Sequence, residues 1–342
     1  MKKSLLLLIG ICFTISGFTI LKEKLFYVPK DWPKPEYDFS KNPLTHDKVE
    51  LGRALFYDPV LSKDNTISCN SCHSQFTAFA HVDHALSHGI NNLIGNRNAP
   101  ALMNLAWQKS FMWDGAINHL DMQPLAPIAN EKEMASNIDS VVKKLQRTKL
   151  YPTLFLKAFG DSIITGEHTL KAISQFMLTL ISSNSKYDSV MRKKATFTEQ
   201  EKNGYTLFKL TCSGCHQEPL FTNQQFENNG LTIDATLNDI GRMKITLDPN
   251  DSLNFKVPSL RNIEFSYPYM HDGRFKKLTD VLNHYISGIQ KSKTLSKKLE
   301  VPILLSSNEK VDIIAFLLTL TDRSFLFNTD FSYPKELLLK TN

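Results

Sequence analysis

Two five-residue runs carry the most chemistry in the chain: Cys69-Asn70-Ser71-Cys72-His73 and Cys212-Ser213-Gly214-Cys215-His216. Both read C-x-x-C-H, the attachment sequence for c-type haem. Each thiol adds across a vinyl group of the porphyrin, and the adjacent imidazole supplies an axial nitrogen to the iron. One turn of chain must deliver two thioethers and one imidazole to a single macrocycle, which is why the spacing matters. With five Cys and ten His in 342 residues, one such match arises by chance roughly 0.002 times per chain. A zinc ribbon needs its cysteine pairs about 15–20 residues apart, whereas these motifs stand most of a domain apart. A thioredoxin-like pair needs no repeated His. Two covalently bound haem c groups are expected, in preference to two structural disulfides.

The elements that position the two motifs repeat as well. Gly52-x-x-Leu55-Phe56 precedes the first and Gly204-x-x-Leu207-Phe208 the second, with Thr198-x-x-Glu201 reading as a capping box at the start of the second helix. Downstream, Pro100-x-Leu102-x-Asn104 pairs with Pro258-x-Leu260-x-Asn262. Phe111-Met112-Trp113-Asp114-Gly115 pairs with Tyr269-Met270-His271-Asp272-Gly273, and Leu120 with Leu278, all at one offset of 158. The fold expected is mostly α, two tandem cytochrome c-like haem domains with long loops. Their spans are 26–190 and 191–342, with a boundary in the polar stretch from Lys186 to Phe197 and a C-terminal tail able to pack back on the first domain.

The repeat breaks at informative places. At the common offset Trp113 faces His271, Gln123 faces Val281, Pro127 faces Tyr285 and Glu133 faces Lys291. Pro offers no side-chain donor to iron, so the first haem is expected to keep an open sixth position. Gln123 and Glu133 near it are a pair able to hold and deprotonate a bound peroxide. Tyr285 is placed to close the second haem as an axial phenolate, with Met270 and Met243 as rival ligands and a buried hydrogen-bonding Tyr as the plain alternative. An open position beside an acid/base group suits chemistry, and a closed one suits electron transfer.

The stretches CNSCH, RNAPALMN, FMWDGAINHLDMQPLAPIANEKEM, CSGCH and FKVPSLRNIEFSYPYMHDGRFKKLTDVLNHY resemble the bacterial dihaem cytochrome c peroxidases, including their MauG-like branch. The resemblance implies a peroxidatic N-terminal haem and a C-terminal haem that receives electrons. It makes His73 and His216 the proximal ligands, places Trp113 between the haems to help electrons cross, and matches Gln123 and Glu133 to the peroxide-side pair. In that role Glu133 moves a proton from the proximal to the distal peroxide oxygen. The resemblance also implies Ca2+ between the domains, held by the Asn98 side chain and the carbonyls of Ser266 and Pro268, a hard-oxygen set. Tyr at position 285, where the founding type has Met, looks like the MauG-like branch, whose members oxidatively modify proteins. The founding type also has a removable distal His on its first haem, and His88 lies in the corresponding region. Hydrogen peroxide is the implied substrate, a small cytochrome c or cupredoxin the implied donor, and dimerisation is common in the family. A plain electron-transfer cytochrome is the non-enzymatic alternative, against which Gln123 and Glu133 argue.

The remaining features bound these readings. His81, His84 and His88 have helical spacing, but a solvated loop face is the plainer use for them than a metal site. Arg97, Arg242 and Arg261 suit haem propionates or surface ion pairs equally. The run Lys291 to Lys298 reads as a solvated face that could help dock an acidic donor. Lys2 and Lys3 followed by the apolar run Leu5 to Phe18 form an export signal or a retained N-terminal anchor, spanning residues 1–25 and including Cys12. Ile11 before Cys12 spoils a lipoprotein signal, and a periplasmic address follows from the export reading. Net charge is +6, from 40 Lys+Arg against 34 Asp+Glu. No dense basic run marks a nucleic-acid partner, and a mean hydropathy of −0.23 with one long apolar run excludes a polytopic membrane protein.

Overall fold

The computed structural model describes residues 25–81 and 84–339; the export segment and Cys12 lie outside them. The first half opens with α1 (His46–Tyr57), capped by the Thr45 side chain accepting from Lys48 N. It continues through the one-turn α2 (Cys69–Cys72), α3 (Leu125–Ala129), α4 (Ile138–Gln146), α5 (Leu150–Phe159) and α6 (Gly166–Thr179). The second half holds α7 (Lys186–Met191), α8 (Glu199–Thr211), α9 (Met243–Thr246), α10 (Leu278–Asn283) and α11 (Ser307–Leu318). The only strand pair among the described residues is antiparallel, β1 (Phe226–Glu227) with β2 (Phe255–Lys256). Long loops and 3-10 turns make up much of the remainder, and no helix among the described residues is long and apolar enough to cross a membrane.

Each half is built on one helix crossing, and glycine permits it. A Cβ on Gly52 of α1 would stand 1.9 Å from the Ala172 carbonyl oxygen of α6; on Gly204 of α8 it would stand 1.9 Å from that of Asp312 on α11. With no side chain at the crossing the backbones touch, and Phe176 and Phe316 fill equivalent positions beside them, both fully buried. Thr198 and Glu201 form the expected reciprocal cap on α8. The first cluster gathers Leu51, Leu55, Phe56, Ile173 and Phe176; the second gathers Tyr187, Phe208, Ile313 and Phe316. The expected boundary at Lys186–Phe197 therefore includes a helix, α7, whose Tyr187 is packed into the second cluster.

The duplication is written into the backbone. Asn104 and Asn262 have φ of +55° and +56°, Met112 and Met270 +67° and +74°, Gly115 and Gly273 +73° and +68°. Phe111 bridges Ile117 as Tyr269 bridges Phe275. The halves then meet through a reciprocal exchange: Asn98 N donates to His271 O at 2.7 Å, and Lys256 N donates to Trp113 O at 2.7 Å. Both donors and both acceptors are 158 residues apart. A further repeat, Ile173-x-x-Phe176-x-Leu178-Thr179-Leu180 against Ile313-x-x-Phe316-x-Leu318-Thr319-Leu320, closes each half at a different offset.

After Leu320 the chain crosses to the other half. α12 (Arg323–Leu326) and α13 (Lys335–Leu338) bracket a segment whose Phe325, Leu326 and Phe331 join the first cluster. Tyr57 Oη donates to the Phe331 carbonyl at 2.7 Å, and Gln75 Nε2 to that of Asn328 at 2.6 Å.

Candidate dihaem site

A continuous cavity of ≈ 770 Å³ runs between the halves, and both C-x-x-C-H motifs open onto it, with His73 and His216 in its wall. The ring orientation follows from the loops behind them. His73 Nδ1 donates to the Phe79 carbonyl at 2.6 Å and His216 Nδ1 to that of Phe221 at 3.1 Å, which leaves Nε2 on each ring as the nitrogen that could bind iron. Burial pushes both imidazoles down to about 4, against the opposing effect of those carbonyls. Both are neutral at physiological pH, the form that binds iron. No disulfide joins any of the four motif cysteines. Neutral, carbonyl-anchored imidazoles beside paired thiols in a large, mainly apolar cavity fit two covalently held haems.

The walls differ between the two ends. On the first side Met112, Gln123, Pro127, Asn130 and Glu133 line the cavity. Glu133 sits in the turn after α3, where Asn130 Nδ2 donates to its Oε1 at 2.7 Å. Burial raises its carboxyl above the usual range, and the Asn130 bond opposes the rise. Gln123 follows a 3-10 turn at Leu120–Met122, and its Nε2 faces Met112 Sδ at 3.8 Å. On the second side apolar Leu278, Val281, Leu282 and Ile313 line it together with Tyr285, Met270 and Asn229.

Tyr285 lies where α10 loosens into a π-helical stretch, His284–Gly288, a distortion found mostly at functional positions. Burial pushes its phenol up to about 12, with an Asn229 hydrogen bond opposing. An axial phenolate at this position therefore needs the iron's positive charge to release its proton. Met270 Sδ faces Asn229 Nδ2 at 3.5 Å and shares the cavity wall, whereas Met243 is not among the lining residues.

Trp113 stands where the two ends meet. Its indole Nε1 donates to the Asn98 carbonyl at 2.9 Å, and its own carbonyl takes the Lys256 amide. Opposite it His271 stacks on Phe255 with ring centroids 3.7 Å apart. Asn98, Ser266 and Pro268 all face the cavity, and Asn98 Nδ2 donates to the carbonyls of Pro268 at 3.1 Å and Ala85 at 3.2 Å. Carbonyl oxygens thus converge on a side-chain amide, and rotating that amide to present Oδ1 gives an all-oxygen set of the kind calcium takes.

Other expected residues are placed elsewhere. His88 lies on a loop, bonded to Asn92 Oδ1 at 2.7 Å and beside the His84 ring, with centroids 4.6 Å apart, outside the cavity lining. His81, His84 and His88 form no helix, and no group of three or more His, Cys, Asp or Glu among the described residues is arranged to hold a metal. Arg97 lines the cavity but is already shared by Asp114 and Asp239, at 2.5 and 2.6 Å. Arg242 lies 4.0 Å over the Phe226 ring and donates to the Asp114 carbonyl. Arg261 serves neither a propionate nor the surface, being fully buried in a bidentate pair with Asp188. Lys291, Lys293 and Lys297 are exposed, and Lys298 pairs with Glu227. Sequence reading passed over Asn130, Asn229 and Lys256, although Lys256 and Asn130 lie inside the stretches that carried the resemblance.

The model of the family described as di-haem cytochrome c peroxidase matches residues 46–196. The chain is 36% identical over 302 residues to the methylamine utilization protein MauG of Methylorubrum extorquens, covering 86% of this chain and 83% of that one. It is 35% identical to the cytochrome c551 peroxidase of Nitrosomonas europaea, covering 82% and 81%. Among solved structures, a MauG-like protein associated with microbial copper homeostasis superposes with a TM-score of 0.83 at 33% identity, over 90% of this chain and 98% of that one. With two haem-attachment motifs on one cavity and relatives of this identity over most of its length, the chain belongs to the di-haem cytochrome c peroxidase family, enzymes of the oxidoreductase class.

Proposed function

We propose that the protein is an exported, periplasmic enzyme that reduces hydrogen peroxide to water. Two electrons from a small redox protein, a cytochrome c or a cupredoxin, would be received on the His216 side, and Trp113 would carry them across to the His73 side. The haem iron, when bound, supplies the redox chemistry and an open coordination position. The chain's own residues do the rest. The observation that carries the reading is the unequal cavity: Gln123, Asn130 and Glu133 around Pro127 on one side, and Val281 and Tyr285 at the positions of Gln123 and Pro127 on the other. Gln123 orients the peroxide, and Glu133 accepts the proton from its proximal oxygen and returns it to the distal one, from which water leaves. Asn130 holds the Glu133 carboxyl in place for both transfers. The balance is one peroxide, two electrons and two protons to two waters.

Asn98, Ser266 and Pro268 are the residues that would hold a calcium ion, which would fix the loop of residues 266–271 against the first half. Oxidation of residues on a partner protein is a second reading, favoured by Tyr285 at the position where the founding peroxidases carry Met. Stopped-flow mixing with peroxide tests the whole scheme. Rapid spectral change in the reduced holoenzyme, with turnover in the presence of a reduced donor, is expected. If peroxide leaves the spectrum unchanged in both oxidised and reduced protein, neither enzymatic reading survives.

A further inference from the structure

The offset of 158 that relates the halves also relates the two sides of their junction. Asn98 corresponds to Lys256, Ser266 to Gln108, and Pro268 to Ser110. On the first-named side a neutral amide stands at the centre, Asn98 Nδ2 donating to the Pro268 carbonyl at 3.1 Å. In the second set a side-chain cation stands at the centre: Lys256 Nζ donates to Gln108 Oε1 and to the Ser110 carbonyl, both at 2.7 Å. It also lies 5.8 Å from the centre of the Phe111 ring. Burial pushes the amine down to about 8, with the Asp114 carboxylate opposing the fall.

These contacts fall on one short loop. Gln108, Ser110 and Phe111 lead directly into Trp113, and the Lys256 backbone amide takes the Trp113 carbonyl. Between them Met112 has a left-handed φ of +67°, a conformation a non-glycine residue keeps only where its surroundings hold it. We propose that Lys256 is a positioning residue for Trp113, its ammonium acting as a tethered cation that holds the 108–113 loop to β2. The proposal rests on the reading of Trp113 as the electron route. It makes the junction two versions of one device, one side fixed by a built-in charge and the other by a carbonyl and amide set.

The test uses the diferric holoprotein, wild type against Lys256→Met. Hydrogen exchange followed by mass spectrometry is expected to show the amides of residues 108–115 exchanging roughly tenfold faster in the variant, while those of 266–273 are unchanged. Electron transfer from the second haem to the first, timed after half-reduction, is expected to slow by roughly tenfold or more. Adding Lys256→Met to Trp113→Phe should slow it no further, because the two act through one contact. Unchanged exchange at 108–115, or a full additional slowing in the double variant, overturns the proposal. A Trp113→Phe protein with unaltered transfer overturns the electron route instead, and the exchange result still decides the positioning role. If Lys256→Met yields no holoprotein, Lys256→Gln, which keeps a neutral donor, is read the same way.

Discussion

At the residue scale the proposed function turns on Glu133. Its carboxyl is half-enclosed by the cavity wall and held by Asn130, so it can act only where its proton balance allows. Glu133→Gln removes the base while keeping the shape, and peroxidase kcat/KM should fall by about 10²–10⁴-fold, measured with saturating reduced donor. Because burial raises the Glu133 pKa from 4.5, the protonated and inactive form persists to higher pH than for an ordinary glutamate. Activity should accordingly decline on the acidic side at a pH above that value, and a pH–rate profile locates the limb. Tyr285 is open to a spectroscopic check. If its phenolate closes the second iron, Tyr285→Phe alters the low-spin signal in low-temperature EPR, and an identical signal shifts the assignment to Met270.

At the scale of elements the helix crossings are the most exacting feature. Gly204→Ala places a methyl carbon against the Asp312 carbonyl, and α8 must move away from α11. Destabilisation of at least about 2 kcal/mol is expected, read from denaturant unfolding, with Gly52→Ala acting likewise on the first half. These glycines were legible in the sequence because each stands three residues before a Leu-Phe pair, and so were the capping box of α8 and the 158-residue register. The α6/α11 repeat was written in the sequence too, but loop lengths shift it out of register and hide it from a search at one offset. Contacts between residues far apart in the chain were the least legible. Arg261 reads as a surface or propionate partner until the fold brings Asp188, 73 residues away in the chain, against it. Lys256 likewise gives no sign of burial in its own neighbourhood, since its partners belong to the opposite half.

At the scale of the molecule, stability and pH are joined through that buried pair. Burial alone would raise the Asp188 carboxyl, but the Arg261 guanidinium overrides it and holds it below its ordinary value. A carboxylate lowered by folding stabilises above its unfolded pKa, and that contribution is lost as pH falls through the folded value. Arg261→Leu leaves the Asp188 charge buried without a countercharge, held only by the Ser185 amide and hydroxyl, costing about 3–5 kcal/mol at neutral pH. It should also make the variant lose less stability than the wild type on acidification; thermal unfolding at pH 7 and pH 4.5 checks both. The returning tail is the second global tie. A chain ending at Ser324 keeps the Asp322 bonds to Ser183 and Asn184 but removes Phe325, Leu326 and Phe331 from the first cluster. A loss on the order of 5 kcal/mol is expected, with the first half melting ahead of the second.

The exchange of backbone bonds across the junction, Asn98 to His271 and Lys256 to Trp113, has a consequence for ancestry. A contact in which each copy offers the other the same donor and the same acceptor is the signature of twofold pairing between identical subunits. A single ancestral module with one haem motif would have carried everything needed to pair with itself, as a homodimer with two equal haems. Fusion of two such copies into one chain would free each from the requirement that both faces stay the same. One could then acquire a tryptophan where the other holds a histidine, and a lysine where the other keeps an asparagine.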